Sequence, residues 1–162
     1  MEAGAAFYVF HAHAKSVEFI KALEQSDLAC RQQLIWKKDV MVMGRQDYHW
    51  MHEPILYGWK PGAAHLWNND RKQVTVWEFK RPKASREHPT MKPVKLLKYP
   101  IRNSSKVGQN VLDPFGGSGS TLLACELTKR NCFMMEIDPR YCDVIVKRWE
   151  DLTEDKAVAI KL

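Results

Sequence analysis

The spacing of apolar residues predicts strands in the first half of the chain. Short runs rich in aromatic and β-branched residues, bounded by polar or turn-forming residues, are typical of β-strands. Such runs occupy residues 5–11, 32–36, 54–59 and 74–79. A helix is predicted at residues 17–25, where Val17, Ile20 and Leu23 recur at helical spacing after Ser16, the expected N-cap.

The second half alternates between strand and helix patterns. Strands are predicted at residues 110–113 and 132–137, helices at residues 120–128 and 141–152, and a helix interrupted near Pro100 at residues 94–103. Strand–helix alternation indicates a parallel sheet covered by helices, and therefore an α/β fold. We expect a single domain, in which a basic, proline-bearing loop at residues 80–93 connects a first half (1–79) to a second half (94–162).

Composition and charge narrow the class of protein. The 162 residues are 45% hydrophobic and 27% charged, which is ordinary for a globular domain. No apolar run approaches the length of about 18 residues that spans a bilayer, and the first residues lack the basic start of a signal peptide. We therefore expect a cytoplasmic protein that has no membrane partner. The net charge of +6 suits a polyanionic partner without identifying one.

Cysteine and histidine spacing predicts no metal site. Cys30, Cys125, Cys132 and Cys142 include no C-x-x-C pair, and together with the six histidines they match no zinc template. We expect the cysteines to be small buried residues in a reducing compartment.

The most informative segment joins the strand at 110–113 to the helix at 120–128. It reads Asp113-Pro114-Phe115-Gly116-Gly117-Ser118-Gly119-Ser120-Thr121. Glycine permits a positive φ and the close approach of a ligand, and the helix N-terminus that follows offers unpaired N–H groups. The segment therefore predicts a turn that binds a negatively charged or polar group.

Three classes of ligand use such turns. A P-loop requires lysine where Ser120 stands, and a dinucleotide-binding turn requires a third glycine where Leu122 stands. S-adenosylmethionine presents a carboxylate, which suits helix-end N–H groups, and ribose hydroxyls, which suit a strand-end carboxylate. Glu136 lies 17 residues beyond Gly119, near the spacing of roughly 20 expected for a ribose-binding acid. Asp138 is the competing acid, and a turn that binds no ligand is the alternative.

These residues resemble the cofactor motif of amino-group DNA methyltransferases, which modify adenine N6 or cytosine N4. Further blocks resemble phage and bacterial members of that family: His88-Pro89-Thr90-Met91-Lys92-Pro93, residues 46–60 and residues 141–150. The blocks follow the family's β-type order, in which the catalytic half precedes the cofactor half. The resemblance implies a Rossmann-like methyltransferase sheet with flanking helices, S-adenosylmethionine as cofactor and double-stranded DNA as partner.

The resemblance also implies roles for individual residues. Phe115 would pack near the adenosine or methionine moiety, Glu136 would bind the ribose hydroxyls, and Thr90 and Lys92 would close over the methionine end. The implied cofactor-binding set is His88, Pro89, Thr90, Lys92, Pro93, Asp113, Pro114, Phe115, Gly116, Gly117, Ser118, Gly119, Ser120, Thr121, Glu136 and Asp138.

A basic and aromatic stretch is implied to face DNA. Its expected contacts are Lys37, Lys38, Arg45, Tyr48, His49, Trp50 and His52. The first three were also expected to form a turn. The alternatives are core packing for the tryptophan and a solvated face for the basic residues.

One motif of the family is missing. Members hold the target amine with [Asp/Asn/Ser]-Pro-Pro-[Tyr/Phe/Trp], in which the first side chain and a proline carbonyl accept hydrogen bonds from the NH₂ group and the ring stacks on the flipped base. The chain has eight prolines, and no two are adjacent. We therefore assign no catalytic residue to this chain. In the β-type order the motif would precede Met1, on a central strand beside residues 111–113.

The expected activity is transfer of a methyl group from S-adenosylmethionine to an exocyclic base amine, adenine N6 in preference to cytosine N4. Without the missing strand we expect little or no turnover by this chain by itself. The chain would then be shortened, the product of a split gene or a wrong start, or completed by a homodimer partner or a companion chain. The alternative is a non-catalytic remnant that binds cofactor or DNA.

Overall fold

Contacts within the chain divide it into two units. The computed structural model describes residues 1–81 and 91–160. One unit comprises Met1–Arg81 with Asn103–Ser105, and the other comprises Pro82–Arg102 with Lys106–Leu162. Within the described residues, the first unit holds a four-stranded sheet and the second a two-stranded sheet.

The first unit is built on a mostly antiparallel sheet. Its elements are β1 (Ala6–Phe10), α1 (Ser16–Gln25), β2 (Ala29–Val42), β3 (Trp50–Trp59) and β4 (Val76–Glu78). The strand order is β1-β3-β2-β4, and β4 runs parallel to β2 while the other neighbours are antiparallel. β3 lies between two strands, and residues 54–58 are all buried because both faces of the sheet are packed here, which agrees with their unbroken apolar run.

Side chains of this sheet pack on both of its faces. On one face α1 places Leu23 against Phe7 and Leu56, and these three residues form the centre of a small core. On the other face the rings of Tyr8 and Tyr57 stack with their centroids 4.8 Å apart. Because successive side chains of a strand point to opposite faces, both faces of this sheet are packed.

Strand β2 differs from its prediction in length. Residues 32–36 were expected as the strand and Lys37, Lys38 and Arg45 as a turn, but β2 continues to Val42. Each lysine has an acidic partner on a neighbouring strand: Lys37 pairs with Glu78 of β4 at the surface (2.9 Å), and Lys38 pairs with Glu53 of β3 (2.8 Å).

The start of α1 also differs from its prediction. Ser16 was expected as the N-cap, but it is the first helical residue, and the N-cap is Lys15 without a side-chain cap. A single 3₁₀ turn at His13–Lys15 leads into the helix. The Ser16 hydroxyl donates instead to the carbonyl oxygen of His13 (2.7 Å).

The second unit contains the predicted parallel pair of strands. After α2 (Val94–Ser104), the last residues of which belong to the first unit, come β5 (Asn110–Asp113), α3 (Ser120–Glu126), β6 (Asn131–Met134) and α4 (Pro139–Thr153). β5 and β6 are parallel and in register from Asn110↔Asn131 to Asp113↔Met134. The strand–helix–strand–helix order expected for this half is confirmed.

Helix α2 continues through Pro100, although an interruption was expected there. Proline supplies no N–H and its ring crowds the preceding turn, so it usually ends or kinks a helix. Here Pro100 is buried, as are Leu96 and Leu97 of the same helix. We attribute the continuity to this burial, which offsets the hydrogen bond that proline cannot make.

Candidate functional site

The glycine turn connects β5 to α3 in the second unit. Gly119 is the N-cap residue of α3 and has a φ of 76°, a left-handed conformation that glycine adopts without a steric penalty. Its N–H donates to the carbonyl oxygen of Gly116 (2.8 Å), which closes the turn. The shape of this turn therefore depends on glycine at position 119.

Asp113 binds the turn at both of its ends. Its Oδ1 accepts the N–H of Phe115 (3.0 Å) and its Oδ2 accepts the hydroxyl of Thr121 (2.5 Å). One carboxylate thus joins the last residue of β5 to the first turn of α3.

Glu136 binds the middle of the same turn. Its Oε2 accepts the N–H of Gly117 (2.6 Å), and its Oε1 accepts the N–H groups of Ile137 (2.9 Å) and Asp138 (3.0 Å). Hydrogen bonds from the amides of Asp138 and then Gly117 hold the pKa of the Glu136 carboxyl below its ordinary value, so it is ionised at neutral pH. The structure therefore brings together the glycine turn and the acid that spacing had paired with it.

Asp138, the competing acid, has a different role. Its side chain caps α4 by accepting the N–H of Arg140 (2.9 Å), and it forms an ion pair with the guanidinium of that arginine (2.6 Å). The Arg140 side chain is the main cause of the lowered pKa of Asp138. Of the two acids, Glu136 is the one whose carboxylate contacts the glycine turn.

Exposed apolar side chains lie around the turn. The ring of Phe115 is 86% exposed and the side chain of Ile137, next to Glu136, is 97% exposed. Ser118 and Ser120 are buried instead, so their side chains support the turn from inside. The Glu136 carboxylate thus lies with the exposed apolar side chains of Phe115 and Ile137 on the surface of this unit.

The other expected cofactor residues are only partly described. His88, Pro89 and Thr90 lie outside the described residues. Lys92 and Pro93 are half-buried just before α2. Among the described residues, no group of three or more His, Cys, Asp or Glu side chains is arranged to hold a metal ion.

Most of the expected DNA-side residues are exposed on the first unit. Lys37 and His52 are paired across β2 and β3 and border an open depression of about 330 Å³. Trp50 packs edge-on against His52, with ring centroids 5.4 Å apart. Arg45, Tyr48 and His49 lie in the exposed connection between the two strands.

Lys38 is a correction to this set. Its side chain is only 9% exposed, its ammonium is paired with Glu53, and it lies 5.1 Å from the centre of the Trp36 ring. Contact with a phosphate would break a largely buried ion pair, which is costly. The sequence did not reveal this because strand β2 was expected to end before Lys38.

Two contacts to the turn come from α4 and were not predicted. The Arg148 guanidinium donates to the carbonyl oxygen of Ser118, and Ile145 packs against the turn glycines. The sequence pattern that could have indicated these contacts is the helical spacing of Tyr141, Ile145 and Arg148, which puts a cation on the same helix face as apolar residues.

Comparison with known proteins decides the family. A family model for N6- and N4-type enzymes, described as DNA methylase, matches residues 1–147. The chain belongs to this DNA methylase family. The family expected from the sequence motifs is therefore confirmed.

Relatives in this family agree with the match. The chain is 32% identical over 145 residues to the type II methyltransferase M2.DpnII of Streptococcus pneumoniae, covering 80% of this chain and 54% of the relative. It is 29% identical over 161 residues to the DNA adenine methyltransferase YhdJ of Escherichia coli, covering 75% of this chain and 55% of the relative. The chain thus spans about half the length of these curated relatives.

Solved structures support the same fold. A complex of M1.HpyAVI with SAM has a TM-score of 0.80 at 25% identity, covering 91% of this chain and 76% of that one. The cytosine-N4-specific PvuII DNA methyltransferase has a TM-score of 0.72 at 16% identity, covering 92% of this chain and 65% of that one, a likeness of fold. The expected α/β methyltransferase fold is confirmed. No helix in the described part of the chain has the length and apolar character needed to cross a bilayer.

Proposed function

We propose that this chain supplies the cofactor-binding part of a DNA methyltransferase that uses S-adenosylmethionine and modifies an exocyclic base amine. The observation that carries the proposal is the hydrogen bond between the ionised Glu136 carboxylate and the N–H of Gly117. It supports a single site made of an acid at the end of one parallel strand and a glycine turn at the end of its neighbour, where α/β sheets bind ligands.

The residues of this site fit the cofactor. Each carboxylate oxygen has two lone pairs, and three of the four in Glu136 accept backbone N–H groups, so its Oε2 retains one site for a ribose hydroxyl while it holds the turn. Phe115 and Ile137 offer exposed apolar surface for the adenine ring. Bound there, S-adenosylmethionine would supply the methyl group for the base amine; its sulfonium would become a neutral thioether, and the proton lost by the amine would pass to solvent. The remaining implied residues stay in the proposed site: residues 113–121, His88, Pro89, Thr90, Lys92, Pro93 and Asp138.

The first unit is proposed to bind DNA. Lys37, Arg45, Tyr48, His49, Trp50 and His52 are its proposed contacts, and Lys38 is left out. The surface pair of Lys37 with Glu78 is worth little, so this lysine can exchange its partner for a phosphate. Affinity should fall as salt rises, because phosphate binding releases counterions.

Adenine N6 is the proposed target. A relative that covers most of this chain is named a DNA adenine methyltransferase. The named cytosine-N4 enzyme resembles the chain in fold at 16% identity. Cytosine N4 is therefore the second candidate. Because its substrate would be DNA, the proposed location is the cytoplasm of a bacterium or of a phage-infected cell.

A further segment is proposed to complete the sheet. Within residues 1–81 and 91–160, β5 pairs only with β6. Leu112 and Phe133 face each other across this pair and are 65% and 56% exposed, and Met135 beside them is 60% exposed. Large exposed apolar patches and unpaired strand edges mark surfaces that another element covers. We propose that a strand carrying the Pro-Pro motif pairs with the edge of β5, and that the segment joined to this strand covers the apolar face; both are supplied by the same gene or by a companion chain.

Calorimetric titration with S-adenosylmethionine tests the cofactor site. Asp113→Ala and Glu136→Ala should each weaken binding by about tenfold, the effect of losing hydrogen bonds of a charged group. Asp143→Ala removes an exposed acid of α4 and should bind like the wild type. Unchanged affinity in both site variants would sink the assignment.

Methyl transfer tests the need for the further segment. With labelled cofactor and DNA, this chain should transfer little or no label. Translation of the DNA upstream of the codon for Met1 should reveal an in-frame Asp-Pro-Pro-Tyr-type motif, or a neighbouring gene should encode one, and addition of that segment should restore transfer. Turnover by this chain without it would contradict the proposal. A stop codon without a companion gene would instead identify a remnant.

A further inference from the structure

Helix α4 presents two neighbouring side chains to the glycine turn. Ile145 and Arg148 are three residues apart and therefore lie on the same face of the helix. Both are partly buried. One is apolar and one is a cation, so they act on the turn in different ways.

Ile145 determines how closely the turn approaches α4. A methyl group placed on Gly116 would lie 3.1 Å from Ile145 Cδ1 and 2.7 Å from Met134 Sδ, and one on Gly119 would lie 3.1 Å from Ile145 Cγ1. The 3.1 Å distances are tighter than most contacts of real Cβ atoms, so Ile145 would have to shift by a few tenths of an ångström, and the Met134 thioether would also have to move. The turn therefore packs closely against the helix.

Arg148 binds the backbone of the turn directly. Its Nη1 donates to the carbonyl oxygen of Ser118 and lies 3.5 Å from the hydroxyl of Ser120. Both serines are only 5% exposed. A hydrogen bond from a charged donor is stronger than a neutral one, and partial exclusion of water strengthens it further.

Arg148 fixes the orientation of the peptide group between Ser118 and Gly119, which closes the turn. The carbonyl of Ser118 and the N–H of Gly119 belong to one planar peptide group and point in opposite directions. Arg148 holds the carbonyl, while the N–H donates to the carbonyl oxygen of Gly116 (2.8 Å). Rotation of this plane would break both hydrogen bonds and would alter the left-handed φ of Gly119 at the start of α3.

We propose that Arg148 is a positioning residue for the cofactor: from outside the binding surface it fixes the 118–119 peptide and so keeps the glycine turn in its ligand-binding shape. The inference rests on the proposed cofactor site. Lysine is only a partial substitute, because it offers a point charge in place of a planar fork of donors.

Three variants of the full chain test this role by calorimetric titration with S-adenosylmethionine. Arg148→Met keeps much of the aliphatic stem and should weaken binding by about tenfold or more, the factor associated with a lost charged hydrogen bond. Arg148→Lys should recover part of the affinity. Lys147→Met removes the same charge from the next position, where the ammonium pairs with Asp151 on the surface, and should bind like the wild type.

Amide hydrogen exchange provides a readout that needs no ligand. In Arg148→Met the Gly119 amide should exchange faster, relative to the amides of β6, than it does in the wild type. A merely stabilising role would raise exchange at both places together and would leave the cofactor affinity unchanged. Either of those results would overturn the proposal.

The same experiment separates failure of the inference from failure of the proposed function. If the wild-type chain does not bind S-adenosylmethionine, the proposed cofactor site is wrong. The exchange rate of Gly119 then still decides whether Arg148 holds the turn. If Arg148→Met does not fold, Arg148→Gln, which removes the charge but stays polar, replaces it, and wild-type affinity with wild-type Gly119 exchange in that variant contradicts the role.

Discussion

At the scale of single residues, the two acids of the candidate site are also structural residues of the turn. Asp113 holds Phe115 and Thr121, and Glu136 holds Gly117. A substitution of either acid therefore changes the shape of the turn as well as any contact with a ligand. Substitution of the residues that these acids hold separates the two effects, because such variants keep both carboxylates.

Thr121→Val removes one such partner at almost constant volume. The hydroxyl of Thr121 donates to the half-buried Asp113 carboxylate over 2.5 Å. Its loss should lower the free energy of unfolding by about 1–3 kcal/mol, the range for hydrogen bonds to charged groups. Urea denaturation checks this value. Thr121→Ser keeps the hydroxyl and should lose much less, and equal losses in the two variants would show that the hydroxyl is not the cause.

Glu136→Gln should change how stability depends on pH. The pKa of the Glu136 carboxyl is lowered in the folded chain from its ordinary value of 4.5, so its stabilising hydrogen bonds are fully present above pH 4.5. They are lost as the pH falls through the lower, folded value. Glutamine does not titrate and places an NH₂ group near backbone donors, so the variant should be less stable than wild type at neutral pH.

This prediction is tested by the difference in stability between the wild type and Glu136→Gln. Urea midpoints of wild type and Glu136→Gln should differ at pH 7 and converge as the pH falls below 4.5. Other acids titrate in both chains and cancel in the comparison. A gap that stays constant down to the acid transition would mean that Glu136 does not bind the turn as a carboxylate.

At the scale of elements, local signals predicted the second unit well. The glycine turn, the strands on either side of it and the final helix depend on residues close in sequence, including Asp138-Pro139 at the start of α4. The pairing of Glu136 with the turn was also predicted, because spacing within one strand–helix–strand unit is nearly constant.

Strand β2 was predicted poorly because its stabilising partners are distant. Lys37 and Lys38 resembled a solvated turn, but each has an acidic partner on another strand, and Glu78 is 41 residues from Lys37. Local pattern contains no information about such cross-strand pairs. For the same reason, the role of Arg148 on the Ser118 carbonyl, 30 residues away, became visible only in the fold.

The capping of α4 gives a prediction at this scale. Asp138 accepts the N–H of Arg140 at the start of the helix, and Pro139 occupies its first position. Asp138→Ala should lower the thermal midpoint by about 3 °C, the shift expected for one lost N-cap in a chain of this length. Asp138→Asn also caps helices and should stay close to the wild type. Equal midpoints for alanine and aspartate would contradict a capping role.

At the scale of the whole molecule, the bare face of the β5–β6 sheet is the main unexplained surface. This face carries Leu112, Phe133 and Met135, all more than half exposed. The helices α3 and α4 do not cover it, since α3 packs against the other side chains of β6, such as Cys132. The net charge of +6 keeps chains apart at low salt, and added salt weakens that repulsion.

The purified chain should therefore self-associate through this face as salt rises. Exposed apolar patches and free strand edges promote such contacts. Sedimentation velocity at increasing protein and salt concentrations should show larger species for the wild type, and the double variant Leu112→Lys with Phe133→Lys should stay monomeric. Val107→Lys adds charge at an equally exposed valine in the turn before β5, outside the paired strands, and should behave like the wild type. The double variant should also lose any methyl transfer restored by the companion segment, if that segment covers the apolar face as well as pairing with the edge of β5. Retention of that transfer would show that the segment leaves this face uncovered.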